Sequence, residues 1–305
     1  MIGVLLLTLR ELRARKVVLG LFVVATVIWV ALALALQLDV VDGSLAGARL
    51  FGQETVDQPL DPDAPMLDGD GEPIVDPETG ETLTQADSLP FGSSLLESVV
   101  FGAQAFVSGA AYWVGLLLAL FATGGLVASL TERGQVDVLL TKPLSRSQVL
   151  AGRLAGVWLV MLALVVYLFG AVWLTMSIKS GIWNPRFLLA IGVVFGMFAV
   201  IYGVVTLVGV WSGSGPLSLI VTLGLLFVSL VLAIPELPEQ VNRTWRPLVE
   251  GAHAVLPKFG GVGVSIVPQL ATGGVVDTFA PFLTSLAFGA VCYAAAFGLF
   301  SRKDY

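Results

Sequence analysis

Apolar residues in this chain do not alternate with polar ones. They run in blocks about twenty residues long, divided by shorter polar stretches. Val17 to Leu36 is one such block and carries no charge; at ~1.5 Å per helical residue it matches the ~30 Å hydrocarbon core of a bilayer. Further blocks predict spanning helices at 112–130, 154–174, 187–208, 217–233 and 281–300. The expected fold class is an all-α integral membrane protein with six transmembrane helices.

The polar intervals have distinct characters. Residues 1–16 place Leu5, Leu6, Leu9 and Leu12 at helical spacing with Arg10, Glu11, Arg13 and Arg15 behind them, which predicts an amphipathic helix lying on the bilayer surface. A secretory signal has the opposite order, with its positive residues ahead of the apolar core. Residues 37–92 are rich in Asp, Gly and Pro and read as an aqueous loop. Within it, Pro73 to Val75 and Glu81 to Leu83 flank Asp76-Pro77-Glu78-Thr79-Gly80, a β-hairpin pattern. Ser93 to Ala111 mixes Leu95, Leu96, Val99 and Val100 with Glu97 and Gln104, and predicts an outer-surface helix leading into the second span. The interval 37–111 is thus an outer acidic loop with a helix at its end. Residues 234–280, broken by proline, predict outer or re-entrant helices.

Composition agrees with the pattern. Hydrophobic residues make up 56% of the 305 and charged residues 12%, with a mean hydropathy of +0.91. Soluble domains carry about twice that share of charge. The net charge of -6 is local in origin, because 14 of the 22 acidic residues lie between Asp39 and Glu97. Basic residues cluster elsewhere: Arg10, Arg13, Arg15, Lys16, Arg133, Lys142, Arg146, Arg153, Arg302 and Lys303 sit beside one set of span ends. By the positive-inside rule both termini and the segment 131–153 are cytoplasmic, in a multi-pass protein of a cell membrane.

Candidate chemistry is sparse. The central parts of the predicted spans lack Asp, Glu, Lys, Arg and His, which disfavours ion-coupled transport through buried ionisable groups and intramembrane catalysis alike. His253 is the single histidine and Cys292 the single cysteine, so neither has a like partner for a ligand set or a catalytic pair. Asp68, Asp70 and Glu72 alternate like a calcium loop, but Pro73 and Thr79 stand where that loop needs Gly and Glu. No catalytic residue, metal ligand or cofactor site is expected. The chain also has no phosphate-binding GxxxxGK[ST] loop, so any ATP-driven work needs another protein.

The segment Thr131 to Arg153 is the most specific stretch. Glu132, Arg133, Gly134, Asp137, Leu139, Leu140, Lys142, Pro143, Ser145 and Arg146, followed by Gly152-Arg153, place an acidic residue, a leucine run, a proline and a Ser-Arg pair in order between two spans. This resembles the cytoplasmic loop of ABC-2 type permeases. Gln135 and Arg153 depart from the family pattern, which has threonine and lysine there. The resemblance extends to the whole chain in topology.

It implies that these ten residues dock on a separate ABC ATPase subunit, that a second permease copy completes a dimer, and that ATP and Mg belong to the ATPase alone. An apolar face at Val136, Leu139 and Leu140 with charges around it suits a groove on a partner. The function expected is that of a non-catalytic permease subunit of an exporter. The alternative is an ATPase-coupled scaffold passing force to an outer or periplasmic protein, as in metalloenzyme maturation, with the acidic loop as its contact. The resemblance leaves the substrate open, and nothing points to nucleic acid. Gly192, Gly196, Ala199 and Gly203 place small residues on one face of the fourth span, a helix-packing surface within one subunit or across a dimer.

Overall fold

The computed structural model describes residues 16–41, 44–50, 53–54, 64–67, 72–75, 80–85, 94–128, 145–234 and 244–302. Among these, six helices are long and apolar enough to cross a membrane: Val18–Ala35, Leu96–Thr123, Ser147–Ser180, Arg186–Ser212, Gly215–Leu232 and Ala280–Arg302. We number them spans 1 to 6. The architecture is that of a multi-pass membrane protein.

Local chemistry sets the helix limits. Span 3 starts from a reciprocal capping box, in which the Gln148 N–H donates to Ser145 Oγ at 3.3 Å and the Ser145 N–H to Gln148 Oε1 at 3.2 Å. It stops at Gly181, whose φ of 75° only glycine adopts without strain. Span 4 stops in the same way at Gly213 (φ 68°). Ser214 then caps span 5, with Pro216 in its first turn.

Span 2 differs from expectation. Leu95–Ala110, read from sequence as a surface helix, runs without interruption through a π-helical turn, Ala111–Gly115, into Leu116–Thr123. Of the two polar residues that suggested a surface location, Gln104 is buried, as are Ser98 and Ser108 beside it, and Glu97 is half-buried. Ser94 Oγ accepts the Glu97 N–H at 3.2 Å and fixes the start of this helix. Span 3 is likewise longer than the predicted 154–174, and it places Lys179, assigned from sequence to a loop, in its last turn. There Lys179 Nζ donates to the Ala33 carbonyl near the end of span 1.

Span 4 is the axis of the bundle. Two thirds of its apolar window is buried (67%), and it packs against spans 3, 5 and 6. Phe187 stacks on Phe169 of span 3, with ring centroids 5.0 Å apart. The connections after spans 1, 3 and 5 leave from one end of the bundle and those after spans 2 and 4 from the other.

At the first end, β1 (Leu36–Val41) continues directly from span 1 and pairs antiparallel with β2 (Ser44–Leu50), which pairs with β3 (Gln53–Glu54). These strands fall where the sequence suggested only loop. The expected hairpin segment holds isolated antiparallel bridges, including Val75 with Thr82, rather than a named strand pair. Residues 244–271 form two helical pieces, Arg246–Val255 and Phe259–Ala271, bent by 64° at the break between them. Serines from two spans hold that break. Ser229 Oγ donates to Pro257 O at 2.6 Å and accepts the Phe259 N–H at 2.9 Å, while Ser285 Oγ accepts the Lys258 N–H at 2.8 Å. The backbone groups freed by the bend are thereby satisfied within protein.

Candidate functional site

The segment that the sequence marks for docking lies between the end of span 2 and the start of span 3. Glu132, Arg133, Gly134, Asp137, Leu139, Leu140, Lys142 and Pro143 fall outside the described residues. Ser145 is the cap of span 3 and Arg146 its first helical residue.

The two arms of that segment are joined. Span 2 ends at Thr123, and a single helical turn, Gly125–Ala128, follows. Arg153, on the third turn of the span 3 helix, donates from Nε to the Leu126 carbonyl at 3.2 Å and is only 3% exposed. Sequence places Arg153 among the basic residues that mark the cytoplasmic span ends. Its side chain turns inward, because carbonyls at a helix end lack partners in their own helix and carry the negative end of its dipole. A cation there satisfies the carbonyl and stays hydrogen-bonded itself. The same end of span 2 is tied to the bundle axis, where Tyr202 of span 4 donates to the Thr123 carbonyl at 3.4 Å. The end of span 2 that leads into the segment is thus bonded to spans 3 and 4.

The small residues of span 4 face span 6 of the same chain. A Cβ added to Gly196 would lie 2.7 Å from the Phe282 ring, and one added to Gly203 would lie 3.2 Å from the Gly289 carbonyl and from the Tyr293 ring. The Ala199 carbonyl accepts the Tyr293 hydroxyl at 2.7 Å. Gly289 closes the contact from the other side, its own added Cβ reaching 3.0 Å from the Val200 Cα. Gly192, one turn earlier, has open space around it and takes no part. Sequence left open whether this face packs within the subunit or across a dimer; the structure uses Gly196, Ala199 and Gly203 within the subunit.

At the opposite end of the bundle is a polar junction that the sequence reading missed. Asn184, between spans 3 and 4, donates from Nδ2 to Gln104 Oε1 of span 2 at 2.8 Å and to the Ala271 carbonyl of the bent pair at 2.9 Å. Its own carbonyl accepts Trp173 Nε1 of span 3 at 2.9 Å. Arg186 adds a bond from Nη1 to the Gly273 carbonyl at 2.5 Å. One asparagine thus joins spans 2 and 3 to the bent pair. A polar residue inside an apolar helix, Gln104, was the available signal, since such a residue needs a partner.

Chemistry elsewhere is limited. His253 is exposed on Arg246–Val255 and borders a cavity of about 160 Å³ with Lys258 and Ser229. Among the described residues no group of three His, Cys, Asp or Glu side chains is arranged to hold a metal. Comparison with known proteins adds no family: no protein-family model matches the chain, and no curated protein matches it significantly.

Proposed function

We propose that this chain is the membrane-spanning subunit of an ATP-driven exporter of the ABC-2 type, with both termini and the segment 131–153 in the cytoplasm and a second copy completing the pathway. The observation that carries this reading is the ordered motif from Glu132 to Arg153, set between spans 2 and 3 in a six-span chain that has no phosphate-binding loop. The bond between Arg153 and the Leu126 carbonyl supports it, because it gives a docked ATPase simultaneous purchase on the two spans that flank the loop. ATP and Mg belong to that partner subunit. Val136, Leu139 and Leu140 supply its apolar contact, while Glu132, Arg133, Lys142 and Arg146 set register and partner choice by charge.

The test is substitution within the loop. Arg146→Glu, or Val136→Asp with Leu139→Asp, is expected to abolish ATPase co-purification and stimulated ATP hydrolysis while the chain still elutes as a single membrane-protein species. Unchanged co-purification and hydrolysis in both variants would refute the docking account.

A second reading is favoured by the paired strands β1 to β3, which rise directly from span 1. Ordered backbone there suits a contact with an outer protein, so the same ATPase could drive a scaffold rather than an export route. Removal of residues 44–85, which takes out β2 and β3, separates the two: export tolerates it, whereas a scaffold loses its outer partner.

A further inference from the structure

Spans 1 and 2 meet at Leu116–Thr123 but do not close on each other along the rest of their length. Between them, floored by spans 3 and 4, is a crevice of about 200 Å³. Its walls are Leu21 to Ile28 of span 1, Val107 to Ala119 of span 2, and side chains such as Met161, Phe169 and Phe198 behind; none of the lining side chains is polar. Its rim is formed by Val24, Val114 and Leu118, all exposed on the outer surface of the bundle. That surface belongs to two membrane-crossing helices, so the mouth opens on hydrocarbon.

We propose that this crevice is a binding site for one acyl chain of a membrane phospholipid. An apolar cavity gives water no hydrogen-bond partners and stays dry. Left empty, its walls lose their packing contacts. The molecule able to fill it from the side is a lipid tail. Shape agrees: residues 107 to 119 extend about 18 Å along the helix axis, the direction in which acyl chains run.

The π-helical turn of span 2 gives the site a built wall. Ala111, Val114 and Gly115 of that turn line the crevice, and the Leu116 N–H reaches back to the Ala111 carbonyl in the wide i to i+5 pattern. Such turns occur frequently at functional sites. The other side of the same turn holds the bent pair: Tyr112 donates to the Phe259 carbonyl at 2.8 Å, and Gly263 lets the Tyr112 and Trp113 rings approach where a Cβ would lie 2.5 Å from each. An acyl chain in the crevice therefore bears on the turn that holds the bent pair. The inference needs only the membrane location of the spans and stands whether or not an ATPase docks.

Gly115 allows a direct test, because a Cβ added there meets nothing closer than 3.9 Å and a longer side chain can enter the crevice. The full chain is reconstituted in phosphatidylcholine nanodiscs containing a phosphatidylcholine with a diazirine midway along one acyl chain, then irradiated and mapped by peptide mass. Labelling is expected to be several-fold higher at residues 107–119 than at the lipid-exposed Phe227 and Val291. It should saturate, and excess unlabelled phosphatidylcholine should displace it. Gly115→Leu should reduce it several-fold and leave Phe227 and Val291 unchanged. Uniform, non-saturable labelling of all these positions in the wild-type chain would mean bulk lipid contact and overturn the site. Absent labelling at 107–119, together with cross-linking of a Val114→Cys variant to a second copy, would also overturn it.

Discussion

Spans 4 and 5 are adjacent, almost equally apolar, and joined by a turn of two residues, yet they live in different surroundings. In span 4, 67% of the apolar window is buried; in span 5, 17% is. Span 4 is covered nearly all round, with Val194, Met197, Ile201, Tyr202 and Val205 inside. Span 5 is turned inside out: its buried residues are Ser218, Thr222 and Ser229, while Ile220, Val221, Phe227 and Val228 are exposed. Hydropathy places both in the membrane and says nothing of which is central. In lipid the apolar side chains of a rim helix have no reason to turn inward, whereas its hydroxyls do, because the bilayer core offers them no partner.

The comparison is broken most severely by matched glycine substitutions. Gly203→Leu in span 4 forces a side chain against the Gly289 carbonyl and the Tyr293 ring, and overpacking of this kind costs about 1–3 kcal/mol or more. Thermal unfolding in detergent should show a large fall in the midpoint or no monodisperse protein. Gly224→Leu in span 5 has nothing within 4 Å and should leave the midpoint almost unchanged. Equal effects would mean that the two spans are equally packed.

A smaller effect is expected at Ser229, the hydroxyl through which span 5 holds the bent pair. Ser229→Ala leaves Pro257 O and the Phe259 N–H unpaired inside the protein, at a cost of about 1–3 kcal/mol. Increased proteolysis or hydrogen exchange near residues 256–262 should accompany it. Thr222→Ala removes only a bond to the carbonyl of Ser218 in its own helix and should cost less.

Asn184→Ala, which removes two bonds to other helices, should come next at about 1 kcal/mol, from the average of ~0.6 kcal/mol for each interhelical bond in membranes. Replacing Gln104 and Asn184 together by leucine should restore part of the loss if the bond, rather than the volume, is responsible; a double-mutant cycle by thermal unfolding decides. Least affected is Ile220→Ala on the exposed face of span 5, within about 0.5 kcal/mol of wild type.

Much of this architecture was legible in the chain. Spans 1, 4, 5 and 6 lie within a few residues of their expected limits because each is an uninterrupted apolar run closed by a glycine, a proline or a charge. The length of span 2 was missed because Glu97 and Gln104 looked like surface residues, and the partner of Gln104 arrives from distant chain: Asn184 is 80 positions away. The Ser94-Leu-Leu-Glu97 capping pattern was the overlooked signal that one long helix begins there. The strands after span 1 were missed because the alternation of Leu36-Gln37-Leu38-Asp39-Val40 is only a few residues long and runs straight on from the apolar block of span 1. The inward turn of Arg153 depends on a carbonyl 27 residues away. The π-turn leaves no sequence mark at all, yet it forms a wall of the crevice.

Affinity purification of the tagged chain from native membranes in mild detergent, with mass identification of companions and a nucleotide-hydrolysis assay, tests the central claim most directly. Our account predicts a P-loop ATPase in equal amount and hydrolysis that requires both proteins. Recovery of the chain alone, with no hydrolysis, would contradict it.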